Sequence, residues 1–161
     1  MSKSKKTINR LINRGKFKLI KSGINEDMLL KEIEKHLKRI DKPNTKIISL
    51  IGGAASGKSS LSKKLSNFLK SADVVCTDDY VVGDREYRRK HIEGKDPTKK
   101  YDVLFLKKKI KETCSLKQGQ TAKVPTYNSK TGLAVAEGEN NFKRVINQVD
   151  YIIVEGDFDF V

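Results

Sequence analysis

The sequence predicts an α/β domain built on a parallel sheet. Three observations carry that prediction. Short apolar runs at 47–51, 73–76 and 151–154 read as buried strands. Helical patterns alternate with them, and parallel strands need such crossovers. The runs also end in glycine-rich or acidic turns, at the strand ends where open sheets of this kind gather ligands. The chain has 161 residues, 37% hydrophobic and 34% charged, which is one domain's length with enough apolar content for a core. No apolar run approaches the roughly 20 residues of a membrane helix, so a cytoplasmic protein without membrane contact is expected.

Residues 1–22 form a basic arm with eight Lys or Arg and no acidic residue. Residues 1–46 hold 14 of the 34 basic side chains against 5 of the 20 acidic ones. Counterion release could draw such an arm to nucleic acid. It carries no stacking aromatics beyond Phe17 and no nucleic-acid motif, so a solvated tail is the favoured reading. Gly23 breaks the arm, and Asn25 can cap the next helix. Met28, Leu29, Ile33, Leu37 and Ile40 then recur at helical spacing up to Pro43. That helix would pack on the sheet. The expected boundary lies at 45/46, with a basic arm and helix at 1–45 and the main domain at 46–161.

Lys46 to Ile51 is the first strand and Lys58 to Leu69 the next helix, with Leu61, Leu65, Phe68 and Leu69 as its buried face. Asp73 to Cys76 is a second strand, ending at Thr77-Asp78-Asp79-Tyr80. Residues 83–100 are polar and either irregular or a short helix. There Arg85, Arg88, Arg89 and Lys90 read as a solvated face, with positive charge near phosphates as the alternative. Leu104 to Leu116 is a helix with Leu106, Ile110 and Cys114 inside and Lys107 to Lys109 largely outside. Ala122 to Tyr127 and Gly132 to Ala136 flank a turn and suggest a hairpin. Tyr151 to Val154 is the final strand. Cys76 and Cys114 show no metal or redox spacing and read as reduced thiols, and the isolated His36 and His91 support no metal site or triad.

Between the first strand and the next helix stand Gly52, Gly53, Ala54, Ala55, Ser56, Gly57, Lys58 and Ser59, followed by Ser60. This is the G-x-x-x-x-G-K-[ST] pattern in its required context of strand, tight turn and helix. Gly52 and Gly57 permit backbone conformations that a side chain would obstruct. The turn's amides and the positive helix end can then converge on phosphate. Lys58 would reach the outer phosphates and Ser59 would hold Mg²⁺. Hard oxygen ligands suit that ion, and Asp78 and Glu155 could supply carboxylates from neighbouring strand ends. A phosphoryl transferase also needs a carboxylate beside the acceptor hydroxyl, which Asp78 or Asp79 could provide.

These segments, together with Gly119–Tyr127 and Ile152–Asp157, resemble the uridine kinase and phosphoribulokinase group of P-loop kinases. Nicotinamide riboside kinases and pantothenate kinases are its relatives. The resemblance runs over residues 46 to 161. It implies a three-layer P-loop NTPase fold, here with a small β-hairpin and an N-terminal helical extension. It implies ATP or GTP as donor, Mg²⁺ held by Ser59, Asp78 and Glu155, and a nucleoside-like acceptor of uridine or cytidine type. Asp78 would be the base and Lys58 the phosphate contact. Asp79, Tyr80, Asp102 and Tyr127 would face the acceptor. Where the group usually has aromatic residues stand Asp79 and Tyr80, and Asn128 stands where it usually has Asp.

Members of the group continue past the Glu-Gly turn into further strands and an arginine-bearing lid, so the fold is expected to be incomplete at its C-terminus. Lid cations stabilise transferring charge, so weak or absent catalysis is expected from residues 1–161 alone. An unpaired last strand would invite association into a homo-oligomer. Two other readings stand beside a kinase: a nucleotide-binding module without turnover, and a nucleic-acid-associated ATPase.

Overall fold

Three parallel strands make the sheet that organises the site, and the strand last in sequence lies at its centre. The computed structural model describes residues 26–40, 45–53, 55–92, 94, 96–134 and 144–157. The basic arm, Ala54 and Ala136 lie outside these. The chain forms two units, residues 1–42 and 43–161. In the first, helix α1 (Glu26–Lys38) buries Leu29, Leu30, Ile33 and Leu37, while Met28 is exposed. Glu34 and Lys38 pair one turn apart on its solvent side.

In the second unit, β1 (Lys46–Ile51) leads through the Gly-rich loop to α2 (Lys58–Leu69), and β2 (Ala72–Cys76) runs into a 3-10 turn at Thr77–Tyr80. β7 (Tyr151–Gly156) pairs with both strands, setting Ile47 opposite Ile152 on one side and Val75 opposite Val154 on the other. The sheet order is therefore β1-β7-β2. This corrects the expectation of an exposed last strand, and with it the argument for association through that strand. The apolar run fits the centre because a strand covered on both faces needs side chains that tolerate burial on both. Ile152, Ile153 and Val154 are all nearly inaccessible.

On one face of β7 the core gathers Val75, Ile152 and Val154 with Leu106 and Ile110 of the next long helix, which spans Val103–Cys114. Between β2 and that helix lie α3 (Arg85–His91), where the sequence left the choice between irregular chain and a short helix, and a 3-10 turn at Pro97–Lys100. The Val103–Cys114 helix is α4. Its Lys109 is 3% exposed, contrary to its expected place outside. The stem is buried while Nζ pairs with Glu112 at 3.1 Å and lies over the Phe105 ring. On α2 the buried positions are Ser62 and Leu65, whereas Phe68 is exposed.

The hairpin is smaller than expected. Among the described residues, only β4 (Tyr127–Asn128) and β5 (Leu133–Ala134) pair across the turn. Thr121–Val124, β3, pairs antiparallel with β6 (Arg144–Asn147), which places Ala122, Val124 and Ile146 in the interior. Pro125 separates the two pairings and, lacking an amide donor, interrupts the ladder there. No helix among the described residues is long and apolar enough to cross a membrane.

Gly156 closes β7 against the 3-10 turn that follows β2. A Cβ there would collide with the side chain of Thr77, lying 2.9 Å from its Cβ. Thr77 is 1% exposed and cannot swing away. Gly156→Ala is expected to lower stability by about 1–3 kcal/mol, the range for overpacking a filled interior, read as a lower urea midpoint.

Candidate active site

The Gly-rich loop joins β1 to α2 with Gly57 in the left-handed region, φ 84°, where a side chain would be strained. At Gly52 a Cβ would lie 2.8 Å from Ser56 Oγ, the tip of an exposed side chain that can turn aside. Gly53 is open on that side, and Ala55 also takes a positive φ of 58°. Gly57 supplies no side-chain cap to α2. The amides of Lys58, Ser59 and Ser60 thus open the helix without intrahelical acceptors, and Ser59 and Ser60 are exposed there. Such an end attracts an anion through its donors and dipole together.

Lys58 folds back over this loop. Its Nζ donates to the Gly53 carbonyl at 2.8 Å and to Asp157 Oδ1 at 3.4 Å. Asp157 Oδ2 in turn accepts from the Tyr101 hydroxyl at 3.2 Å and lies 3.6 Å from Lys100 Nζ. Lys100 also stands 3.3 Å from Asp78 Oδ1, with the Tyr101 hydroxyl 3.5 Å from the same oxygen. One continuous polar chain therefore connects Lys58 to Asp78. Burial alone would lower the pKa of Lys100, but its hydrogen bond with Tyr101 and the Asp78 charge outweigh that and hold it above the usual lysine range.

Glu155 stands on the β7 face that looks toward α2, and Ser62 donates to its Oε2 at 2.8 Å. It is 6% exposed, and among the described residues no ion pair neutralises it. A buried carboxylate held only by a neutral hydroxyl is the kind of group that a cation satisfies. Ser59 on the first turn of the same helix adds a hydroxyl. Among the described residues no three His, Cys, Asp or Glu side chains form a metal-ligand cluster. The donor set fits Mg²⁺, which takes few protein ligands and completes its shell from phosphate and water.

Asp78 is half exposed at the end of β2. Asp79 and Tyr80, read from the sequence as acceptor contacts, turn inward instead. Asp79 is 9% exposed, accepts from the Tyr127 amide at 2.7 Å and faces Arg144 at 3.5 Å. Burial raises its pKa, opposed by the Tyr127 amide and by Arg144. Tyr80 is 2% exposed and packs edge-on against Phe105, with its pKa raised by burial. A 3-10 turn spreads successive side chains roughly 120° apart, so three consecutive residues cannot share one face. Beside them Cys76 is pushed up to about 12, by burial and then by the Asp79 charge, so it stays a neutral thiol.

Asp102 is exposed and caps α4, accepting the Phe105 amide at 2.9 Å through Oδ1. Tyr127 is partly buried, and Arg85 Nε donates to its hydroxyl at 3.4 Å. Arg85 also donates to the Ser129 carbonyl at 2.8 Å, and Arg88 donates to the Gly132 carbonyl at 2.9 Å. These two arginines fasten the β4–β5 turn to α3, which neither sequence reading of them anticipated.

Sequence reasoning passed over Ser62, Lys100, Tyr101, Arg144 and Asp157. Two signals were available: a serine on the apolar stripe of α2, and an acid two residues beyond Glu155. Arg144 gave none, because its partners are distant in sequence. Its guanidinium donates to Asp73 at 2.8 Å, to the Val74 carbonyl, and pairs with Asp79. Arg144→Met should cost about 1–3 kcal/mol by leaving two partly buried carboxylates without their cation, seen as a lower melting temperature.

A fructose transport system kinase candidate from Silicibacter sp. TM1040 shares the fold, with TM-score 0.65 at 22% identity, over 84% of this chain and 64% of that one. A candidate uridine kinase from Bacillus stearothermophilus gives TM-score 0.57 at 24% identity, over 81% and 68%. The YGR205w protein gives 0.58 at 17%, over 84% and 54%. The chain thus spans roughly half to two thirds of the length of these structures. No curated protein matches the chain. The Phosphoribulokinase / Uridine kinase family matches residues 47–161, taking in all of the parallel sheet but Lys46, with the Gly-rich loop and the acidic turn, and the chain belongs to that family.

Proposed function

We propose that the protein transfers the γ-phosphoryl group of ATP to a hydroxyl of a small, ribose-bearing acceptor of uridine or cytidine type. The observation that supports this best is the polar chain from Lys58 through Asp157 and Lys100 to Asp78. It joins the Gly-rich loop after β1 to the half-exposed carboxylate of Asp78 after β2, across the end of the central strand β7. Family membership and fold neighbours described as sugar and nucleoside kinases support the reaction class.

In this reading the amides at the start of α2 and the Lys58 ammonium receive the β- and γ-phosphates. Ser59 and Glu155 would hold Mg²⁺, which when bound neutralises charge developing on the phosphate oxygens. Asp78 takes the proton of the acceptor hydroxyl as its oxygen bonds to the γ-phosphorus and the bond to the β-phosphate oxygen breaks, releasing ADP. Asp79 and Arg144 fix the turn that aims Asp78, and Asp79 ties it to the Tyr127 segment. The domain division proposed is an N-terminal arm and helix at 1–45 before the kinase domain at 46–161.

The test is incubation of the protein with radiolabelled ATP, Mg²⁺ and a panel of nucleosides, riboside vitamins, pantothenate and fructose. A phosphorylated nucleoside is the expected product. Hydrolysis of ATP stimulated by RNA or DNA, with no phosphorylated small molecule, would replace this reading with the nucleic-acid-associated ATPase.

A further inference from the structure

Asp157 holds two cations at once. One oxygen accepts from Lys58 Nζ at 3.4 Å, and the other faces the Tyr101 hydroxyl at 3.2 Å and Lys100 Nζ at 3.6 Å. Lys58 is the ammonium that the outer phosphates of a nucleotide would take. An ammonium has three donors, of which the Gly53 carbonyl and Asp157 engage two here. A carboxylate and a phosphate compete for such a cation directly. With the Lys58 side chain 16% exposed and that of Asp157 35%, solvent screens their pairing only in part.

We propose that Asp157 is a counterion that the nucleotide displaces from Lys58 and that then passes wholly to Lys100 and Tyr101, beside Asp78. The inference rests on the nucleotide-binding reading above. The exchange needs little rearrangement, because Oδ2 already faces its second set of partners when Oδ1 is released. Lys100 shares itself between Asp157 and Asp78, 3.6 Å and 3.3 Å away. Once Lys58 turns to phosphate, Asp157 draws more strongly on Lys100 and the hold of Lys100 on Asp78 slackens. Occupancy of the Gly-rich loop is thereby reported to the carboxylate proposed as base. Asp157 acts here as a positioning residue, touching neither donor nor acceptor.

Titration of a fluorescent ATP analogue, without Mg²⁺ and then with it, tests this on the whole chain. Asp157→Asn removes the competing charge and should tighten binding without Mg²⁺ by about 2- to 5-fold, the scale of a partly exposed ion pair. Lys100→Met removes the second cation from Asp157, leaving its charge to Lys58, and should weaken binding by a similar factor. In the double variant the Lys100→Met effect should vanish. Thermal melts confirm that each variant is folded. Unchanged or weaker binding by Asp157→Asn in the absence of Mg²⁺ overturns the proposal. Weakening only in its presence does so too, by making Asp157 part of the cation's site. Wild-type binding without the Asp157→Asn gain defeats this inference alone, whereas no wild-type binding defeats the nucleotide reading and this one with it.

Discussion

Lys58→Ala is expected to abolish tight nucleotide binding, raising the dissociation constant for ATP by about two orders of magnitude in isothermal titration. The size follows from what the side chain replaces. Its ammonium is folded over the loop, bonded to Gly53 at 2.8 Å, in the space above the open end of α2. The helix amides alone give an anion a partial charge of roughly half a unit, whereas Lys58 adds a full one on a side chain only 16% exposed. The fold should survive, since the aliphatic stem leaves no buried cavity. A variant that bound ATP as tightly as the parent would remove the loop from the site.

Asp78→Asn should leave nucleotide affinity little changed while slowing transfer to the acceptor by about 10²- to 10⁴-fold, the usual worth of a positioned proton acceptor. Asparagine has nearly the same shape and can still accept from Lys100 and Tyr101 through its carbonyl oxygen. It cannot take a proton. The comparison is made by single-turnover measurement with saturating ATP, so that binding and chemistry separate. Transfer at the parental rate would assign the base elsewhere, with Asp79 excluded by its engagement with Tyr127 and Arg144.

The local elements were legible in the sequence because local patterns specify them. β1 and α2 begin and end at the residues where alternation and helical spacing change, Lys46–Ile51 and Lys58–Leu69. The Gly-rich loop was legible for the same reason. What escaped was set by partners far along the chain. Whether Tyr151–Gly156 lies at an edge or at the centre depends on which strands flank it, and an apolar run reads alike in both places. Val124 pairs with Arg144 rather than across the nearby turn, a choice no short window contains. Lys109 is inside because a long stem can be buried while its charge reaches Glu112. In the site, the loop, Asp78 and Glu155 could be picked out by residue type and spacing. Lys100 and Tyr101 could not, because their importance comes from a fold that brings residue 157 beside residue 78.

The order β1-β7-β2 has a consequence for how the chain is made. β1 and β2 do not pair with each other, and the strand that joins them, β7, is synthesised after both. Until it emerges, Ile47, Ile48, Val74 and Val75 have no ladder to enter, so the nascent protein carries unsatisfied apolar edges up to that point. Translation arrested before Tyr151 should therefore yield protease-sensitive, chaperone-bound chains, and protection should arrive in a single step once β7 emerges rather than element by element.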